Sequence, residues 1–162
     1  QCRATGEVLG ELHRVAASFK GQAVNTRGTS WRLDTARGLL PHLKSDARAL
    51  LESELEAQSQ LDLAALPQGI VHADLFRDNV LFVDDRLTGV IDFYYACNDS
   101  LLYDLAITVN DWCFDTHGVP NHARASAMIT AYIARRQTTA EEASAWRLVL
   151  RAAAQSLMVY RP

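Results

Sequence analysis

Three polar residues of this chain, Asp74, Asn79 and Asp92, have the types and spacing that phosphoryl transfer uses. Such chemistry asks little covalent work of a protein. It needs one carboxylate beside the acceptor hydroxyl and hard oxygen ligands around Mg²⁺ to neutralise phosphate charge. Asp74 follows the short β-prone run Gly69-Ile70-Val71, which enters His72. Asn79 comes five residues later and Asp92 thirteen residues after that. Between Asn79 and Asp92 lie Val80-Leu81-Phe82-Val83, the polar turn Asp84-Asp85-Arg86, and Thr88-Gly89-Val90-Ile91. Two apolar runs around a polar turn read as a hairpin. A hairpin brings its far ends together, so Asn79 and Asp92 should lie side by side, with Asp74 close by. Asp84 and Asp85 are read as turn residues only, and Asp78 as a solvated or capping residue.

The elements that must position these residues are mostly helical. Val8, Leu9, Leu12, Val15, Ala16 and Phe19 recur at helical spacing, so Cys2–Phe19 reads as an amphipathic helix. Residues 20–29 read as a loop. A short helix over Trp31–Leu40 is capped by Thr29 or Ser30 and ends near Pro41. Ser45 caps the next helix, with Ala47, Leu50, Leu51 and Leu55 on its apolar face and Glu52, Glu54 and Glu56 solvated. Pro67-Gln68-Gly69 ends that texture. After Asp92, helices are predicted over Leu101–Cys113, His122–Ile133 and Ala140 to about Met158. Thr138 or Thr139 caps the last, with Glu141 and Glu142 in its first turn. Asp99 and Ser100, before Leu101, read as a helix N-cap, with substrate contact from residues 94–99 as the alternative. The predicted fold class is α+β and mostly helical: three helices, a small β element, three helices.

Composition bounds the function. The chain has 162 residues, 49% hydrophobic and 22% charged, with a net charge of −3. That suits one globular domain and argues against a nucleic-acid surface. No apolar run approaches bilayer length, and no leader pattern opens the chain. Cys2, Cys97 and Cys113 are dispersed and are expected to be reduced and buried. A cytoplasmic location is the expectation.

The motif His72-x-Asp74-x-x-x-x-Asn79, followed by Ile91-Asp92-Phe93, resembles the catalytic loop and metal segment of the aminoglycoside phosphotransferase and choline kinase group, distant relatives of protein kinases. The segments HADLFRDNVLF, VIDFYYACNDSLLYDLAITVNDWC and GEVLGELHRVAASF look like the bacterial homoserine kinases of that group. The resemblance covers most of the chain and weakens after about Ala153. It implies that ATP and Mg²⁺ are the cofactors and the hydroxyl of L-homoserine the acceptor. It also implies that Asp74 is the catalytic base, that Asn79 and Asp92 hold Mg²⁺ against the phosphates, and that Arg77 touches phosphate. His72 and Asp104 would support the site structurally. On the residues alone, His72 also reads as a simply satisfied polar group. Asp104, in an apolar helix, must be bonded whatever its role. An amino-acid acceptor needs a cation for its carboxylate, and Arg32, Arg37 and Arg77 are candidates by charge alone. Other small alcohols, aminoglycosides or a non-catalytic role stay open, because the motif handles phosphate and not the acceptor.

Kinases of this group have a second, β-rich lobe that covers the nucleotide and supplies a lysine. Lys20 and Lys44 are the only lysines here, and neither lies in a predicted strand. Residues 1–162 are therefore expected to be a single C-terminal lobe, incomplete as a kinase by itself. The last residues, Gln155 to Pro162, depart from the group's pattern. Oligomeric state is not legible.

Overall fold

The computed structural model describes the backbone of residues 1–160 and the side chains of residues 1–155. The departure expected over residues 155–162 lies almost wholly outside the described side chains. Six α-helices are present among the described residues: α1 (Cys2–Ala16), α2 (Thr29–Leu39), α3 (Ser45–Gln58), α4 (Leu101–Cys113), α5 (His122–Arg135) and α6 (Ala140–Tyr160). Four short strands, β1 (Gln68–Val71), β2 (Val80–Val83), β3 (Arg86–Val90) and β4 (Cys97–Ser100), separate α3 from α4. No helix among the described residues is long and apolar enough to cross a membrane.

The core centres on α4. Nine consecutive residues, Leu101 to Val109, are buried, so this helix is surrounded on all sides. Leu9 of α1, Leu75, Met128 and Tyr132 of α5, and Val149 of α6 pack into the same cluster. The interface of α1 with α5 is the most extensive between helices. Its buried face is Thr5, Gly6, Leu9, Gly10 and His13, which corrects the apolar face predicted from Val15 and Phe19. Those two are 57% and 65% exposed. Small residues win because the helices come very close. A Cβ on Gly6 would stand 2.2 Å from the Met128 carbonyl oxygen, and one on Gly10 2.7 Å from that of Tyr132.

Gly6→Ala is therefore expected to destabilise the protein. Helix propensity favours Ala by up to about 1 kcal/mol, but the clash is with backbone, and overpacking of this kind costs about 1–3 kcal/mol. A thermal melt followed by circular dichroism should show a midpoint lowered by several degrees. An unchanged or raised midpoint would mean that α1 and α5 are farther apart.

α3 departs from expectation. Ala47 and Leu50 are exposed, and only Gln58 of this helix is fully buried. It meets α6 through Arg151, whose guanidinium donates to Glu54 at 2.7 Å, so Glu54 is ion-paired and not merely solvated. The caps of α2 and α3 also differ. Gly28 and Lys44 occupy the N-cap positions, without side-chain caps. At α6 the expected cap forms: Glu142 N–H donates to Thr139 Oγ1 at 3.2 Å, and Thr139 N–H donates to Glu142 Oε2 at 2.9 Å.

β2 and β3 form the expected hairpin, with Val80 opposite Val90 and an irregularity between Leu81 and Phe82. β4 was not foreseen. It pairs antiparallel with β1, Val71 opposite Cys97. Asn98, Asp99 and Ser100 have low β-propensity, and tertiary pairing overrides it. Asp99 accordingly does not cap α4 across its first turn. Its Oδ1 accepts from Ser100 N–H, and its Oδ2 accepts from Asn25.

Candidate active site

The loop after β1 carries Asp74, and its shape is held from α4. Asp104 is 1% exposed. Its Oδ2 accepts from His72 N–H at 2.8 Å and its Oδ1 from Ala73 N–H at 2.8 Å. The grip matters because Ala73 has a φ of 63°, in the left-handed region that costs a non-glycine residue energy. Two charge-assisted bonds from consecutive backbone amides offset that cost and set the direction in which Asp74 leaves the loop. Farther along α4, Leu75 carbonyl accepts from Trp112 Nε1 at 3.0 Å, and Asp111 accepts from Arg77 N–H at 2.8 Å. The catalytic-loop candidate is thus tied to one helix at three points.

His72 joins this loop to the hairpin end. Its Nε2 donates to the Ile91 carbonyl at 3.0 Å, and its Nδ1 accepts from Asp74 N–H at 3.3 Å. Both partners fix the same neutral tautomer, with the proton on Nε2. Its ring also packs at 4.6 Å on Phe93.

Asn79 stands where loop becomes strand. Its Nδ2 donates to the Asp74 carbonyl at 2.7 Å and to Asp74 Oδ2 at 3.0 Å. Its own carbonyl accepts from Ile91 N–H at 3.0 Å, which places it one residue from Asp92. Asp92 is exposed, with φ of 62°, and its carboxylate accepts from Tyr94 N–H at 3.4 Å. Asp74, Asn79 and Asp92 are therefore brought together. With the Asn79 amide nitrogen committed to Asp74, its oxygen is the atom left to face a cation. That oxygen and the Asp92 carboxylate are hard donors of the kind that could hold Mg²⁺. Among the described residues no three His, Cys, Asp or Glu side chains converge as a self-sufficient metal cage.

The Arg77 guanidinium donates to the carbonyls of Asp111 and Phe114 and stands 3.8 Å from the Asp111 carboxylate. It fastens the loop to the end of α4. Arg37 pairs with Asp34 at the surface. Arg32, 2% exposed, stacks on the Tyr103 ring at 4.8 Å.

Sequence reasoning missed His13. Its Nε2 lies 3.0 Å from Asp104 Oδ2 and its Nδ1 2.8 Å from Tyr132 Oη. Arg136 donates to that same hydroxyl at 3.2 Å and to Glu142 at 2.7 Å. Buried polar groups thus connect α1, α4, α5 and the start of α6. The available signal was a histidine four residues after Leu9, on the buried face of α1. Burial alone would push the Asp104 carboxyl up. The His13 hydrogen bond and charge, together with the hydrogen bond from the His72 amide, outweigh it and hold the group below its ordinary 3.8. Cys97 and Cys113 are buried, and burial pushes both thiols up to about 12. Cys2 is only half-buried, and all three are free.

With this geometry in view, comparison places the chain. Residues 1–142 match the family described as "Phosphotransferase enzyme family", and the chain belongs to it. A homoserine kinase of Methylobacillus flagellatus is 47% identical over 160 residues, covering 99% of this chain and 50% of the relative. The chain spans about half the length of the curated relatives it matches. Among solved structures, an amicoumacin kinase in complex with AMP-PNP, Ca²⁺ and Ami superposes with a TM-score of 0.63 at 14% identity, over 98% of this chain and 49% of that one. Choline kinase from Cryptosporidium parvum Iowa II gives 0.61 at 14% identity, over 98% and 57%. The fold is that of the protein-kinase-like phosphotransferases.

Proposed function

We propose that this chain is the acceptor- and metal-binding lobe of an ATP-dependent kinase that phosphorylates the hydroxyl of L-homoserine. The observation that carries the reading is the joining of Asp74 to Asn79, at 3.0 Å, beside the hairpin end that bears Asp92. The 47% identity to a homoserine kinase supports the acceptor.

In this reading Asp74 accepts the hydroxyl proton and orients the oxygen toward the γ-phosphate. Asn79 and Asp92 hold Mg²⁺. When bound, that ion neutralises charge on the phosphates. His72, neutral and bonded at both nitrogens, keeps Asp74 and the hairpin end in register. Asp104 fixes the backbone on which Asp74 stands. Homoserine gives O-phosphohomoserine, and the class of pathway served is amino-acid biosynthesis, that of threonine. Lys20 and Lys44 lie outside the strands, so the lysine and loop that cover a nucleotide are supplied by other residues of the whole protein.

A coupled ADP-release assay on the full-length protein tests this. Homoserine is expected to give the highest kcat/KM in a panel with choline and an aminoglycoside, while residues 1–162 alone turn over far more slowly. Preference for choline or the aminoglycoside would overturn the acceptor.

A further inference from the structure

A cavity of about 600 Å³ opens beside Asp74, lined also by Tyr95, Cys97, Tyr103 and the segment 23–27. Asn79 and Asp92 do not line it. Asp74 thus borders this cavity and also bonds Asn79. Among the described lining residues Asp74 is the carboxylate and Arg27 the cation. None of Arg32, Arg37 or Arg77 lines it.

Arg27 is held there by construction. Its guanidinium carbon lies 4.2 Å from the centroid of the Tyr95 ring, which limits the orientations of the planar group. Its backbone N–H donates to Asn25 Oδ1 at 2.8 Å, and Asn25 Nδ2 donates to Asp99 in β4. Ala23 N–H donates to Asn98 Oδ1 at 2.8 Å, and Asn98 N–H returns to the Ala23 carbonyl at 2.9 Å. β4 pairs with β1, and β1 leads directly into His72 and Asp74. A continuous ladder therefore runs from Arg27 to Asp74 and fixes their relative positions. The polar β4 sequence, poor as a strand, serves to carry that ladder.

We propose that Arg27 holds the carboxylate of the acceptor, and so selects alcohols that bear an anionic group. This deepens the homoserine reading and rests on it. A guanidinium fork matches a carboxylate with two parallel hydrogen bonds. With the carboxylate on Arg27, the opposite end of a short hydroxy acid is directed at Asp74.

The test compares three acceptors in the full-length protein: homoserine, 4-hydroxybutyrate, which lacks only the amine, and 3-aminopropan-1-ol, which lacks only the carboxylate. Wild type is expected to favour the two carboxylates. Arg27→Gln should raise KM for homoserine about 10- to 100-fold, with kcat largely kept. It should leave KM for Mg·ATP and turnover of 3-aminopropan-1-ol unchanged, which also shows that the variant is folded. Arg27→Lys should recover part of the loss, since it restores a point charge without the fork. If Arg27→Gln keeps wild-type preference, the proposal falls while the homoserine reading stands. A raised KM for Mg·ATP with preference retained would make Arg27 a phosphate contact and overturn it too. Arg27-dependent use of 4-hydroxybutyrate with homoserine refused would uphold the anchor and overturn the homoserine reading. Wild-type use of 3-aminopropan-1-ol alone would overturn both.

Discussion

Asp74→Asn in the full-length protein is expected to lower kcat with homoserine by about 10²- to 10⁴-fold, the range for loss of a positioned proton acceptor, while KM for Mg·ATP stays within about twofold. The substitution is nearly isosteric. Asn79 Nδ2 donates to the Asp74 carbonyl at 2.7 Å as well as to the carboxylate, so a side-chain amide oxygen at position 74 can still accept the second bond. The loop keeps its shape, its grip from Asp104 is untouched, and the thermal midpoint should move little. What disappears is negative charge beside the acceptor oxygen. Loss of kcat without loss of stability or of nucleotide binding separates this role from a structural one. Unchanged kcat would remove Asp74 from the chemistry.

Asp104→Ala should produce the largest loss of stability of any single change at the site. It removes the acceptor for three donors at once: the amides of His72 and Ala73, and Nε2 of His13. Breaking a buried charged pair by deleting one partner costs about 3–5 kcal/mol. For a domain of this size that corresponds to a fall of roughly 10 °C or more in the melting midpoint. Activity should fall with it, because nothing then holds Ala73 at a φ of 63°. Asp104→Asn, which keeps one acceptor oxygen, should lie between. The pH dependence has a definite sign. The folded-state value of Asp104 is depressed below 3.8, so its contribution is fully present above that value and is lost as pH falls through the folded one. Wild type and Asp104→Asn should therefore converge in stability on acidification. A gap that widens below pH 4 would contradict the assignment.

The hairpin and its flanking polar residues were legible because their signals are local. Val80 to Ile91 alternates strand and turn chemistry within a dozen residues, and the hairpin itself brings Asn79 to the residue before Asp92. The long helices were legible for the same reason, apart from the caps of α2 and α3. What escaped depends on contacts far apart in sequence. β4 exists through pairing with β1 and with residue 24, against the propensity of its own residues. The buried face of α1 is set by the close approach of α5, which makes Gly6 and Gly10 more informative than Val15 and Phe19. His13 bonds Asp104 across 91 residues, and Arg27 reaches the cavity through Asn25 and Asp99. The partners of Arg77 were not legible either, since Asp111 and the Phe114 carbonyl lie on and just past α4, more than thirty residues away.

The most direct measurement is a ³¹P NMR time course of the full-length protein with Mg·ATP and L-homoserine, run beside Asp74→Asn. The wild-type protein should convert γ-phosphate into a phosphomonoester resonance of O-phosphohomoserine in step with ADP, and the variant should not. ATP consumed without that resonance, or the resonance growing equally in Asp74→Asn, would contradict the account.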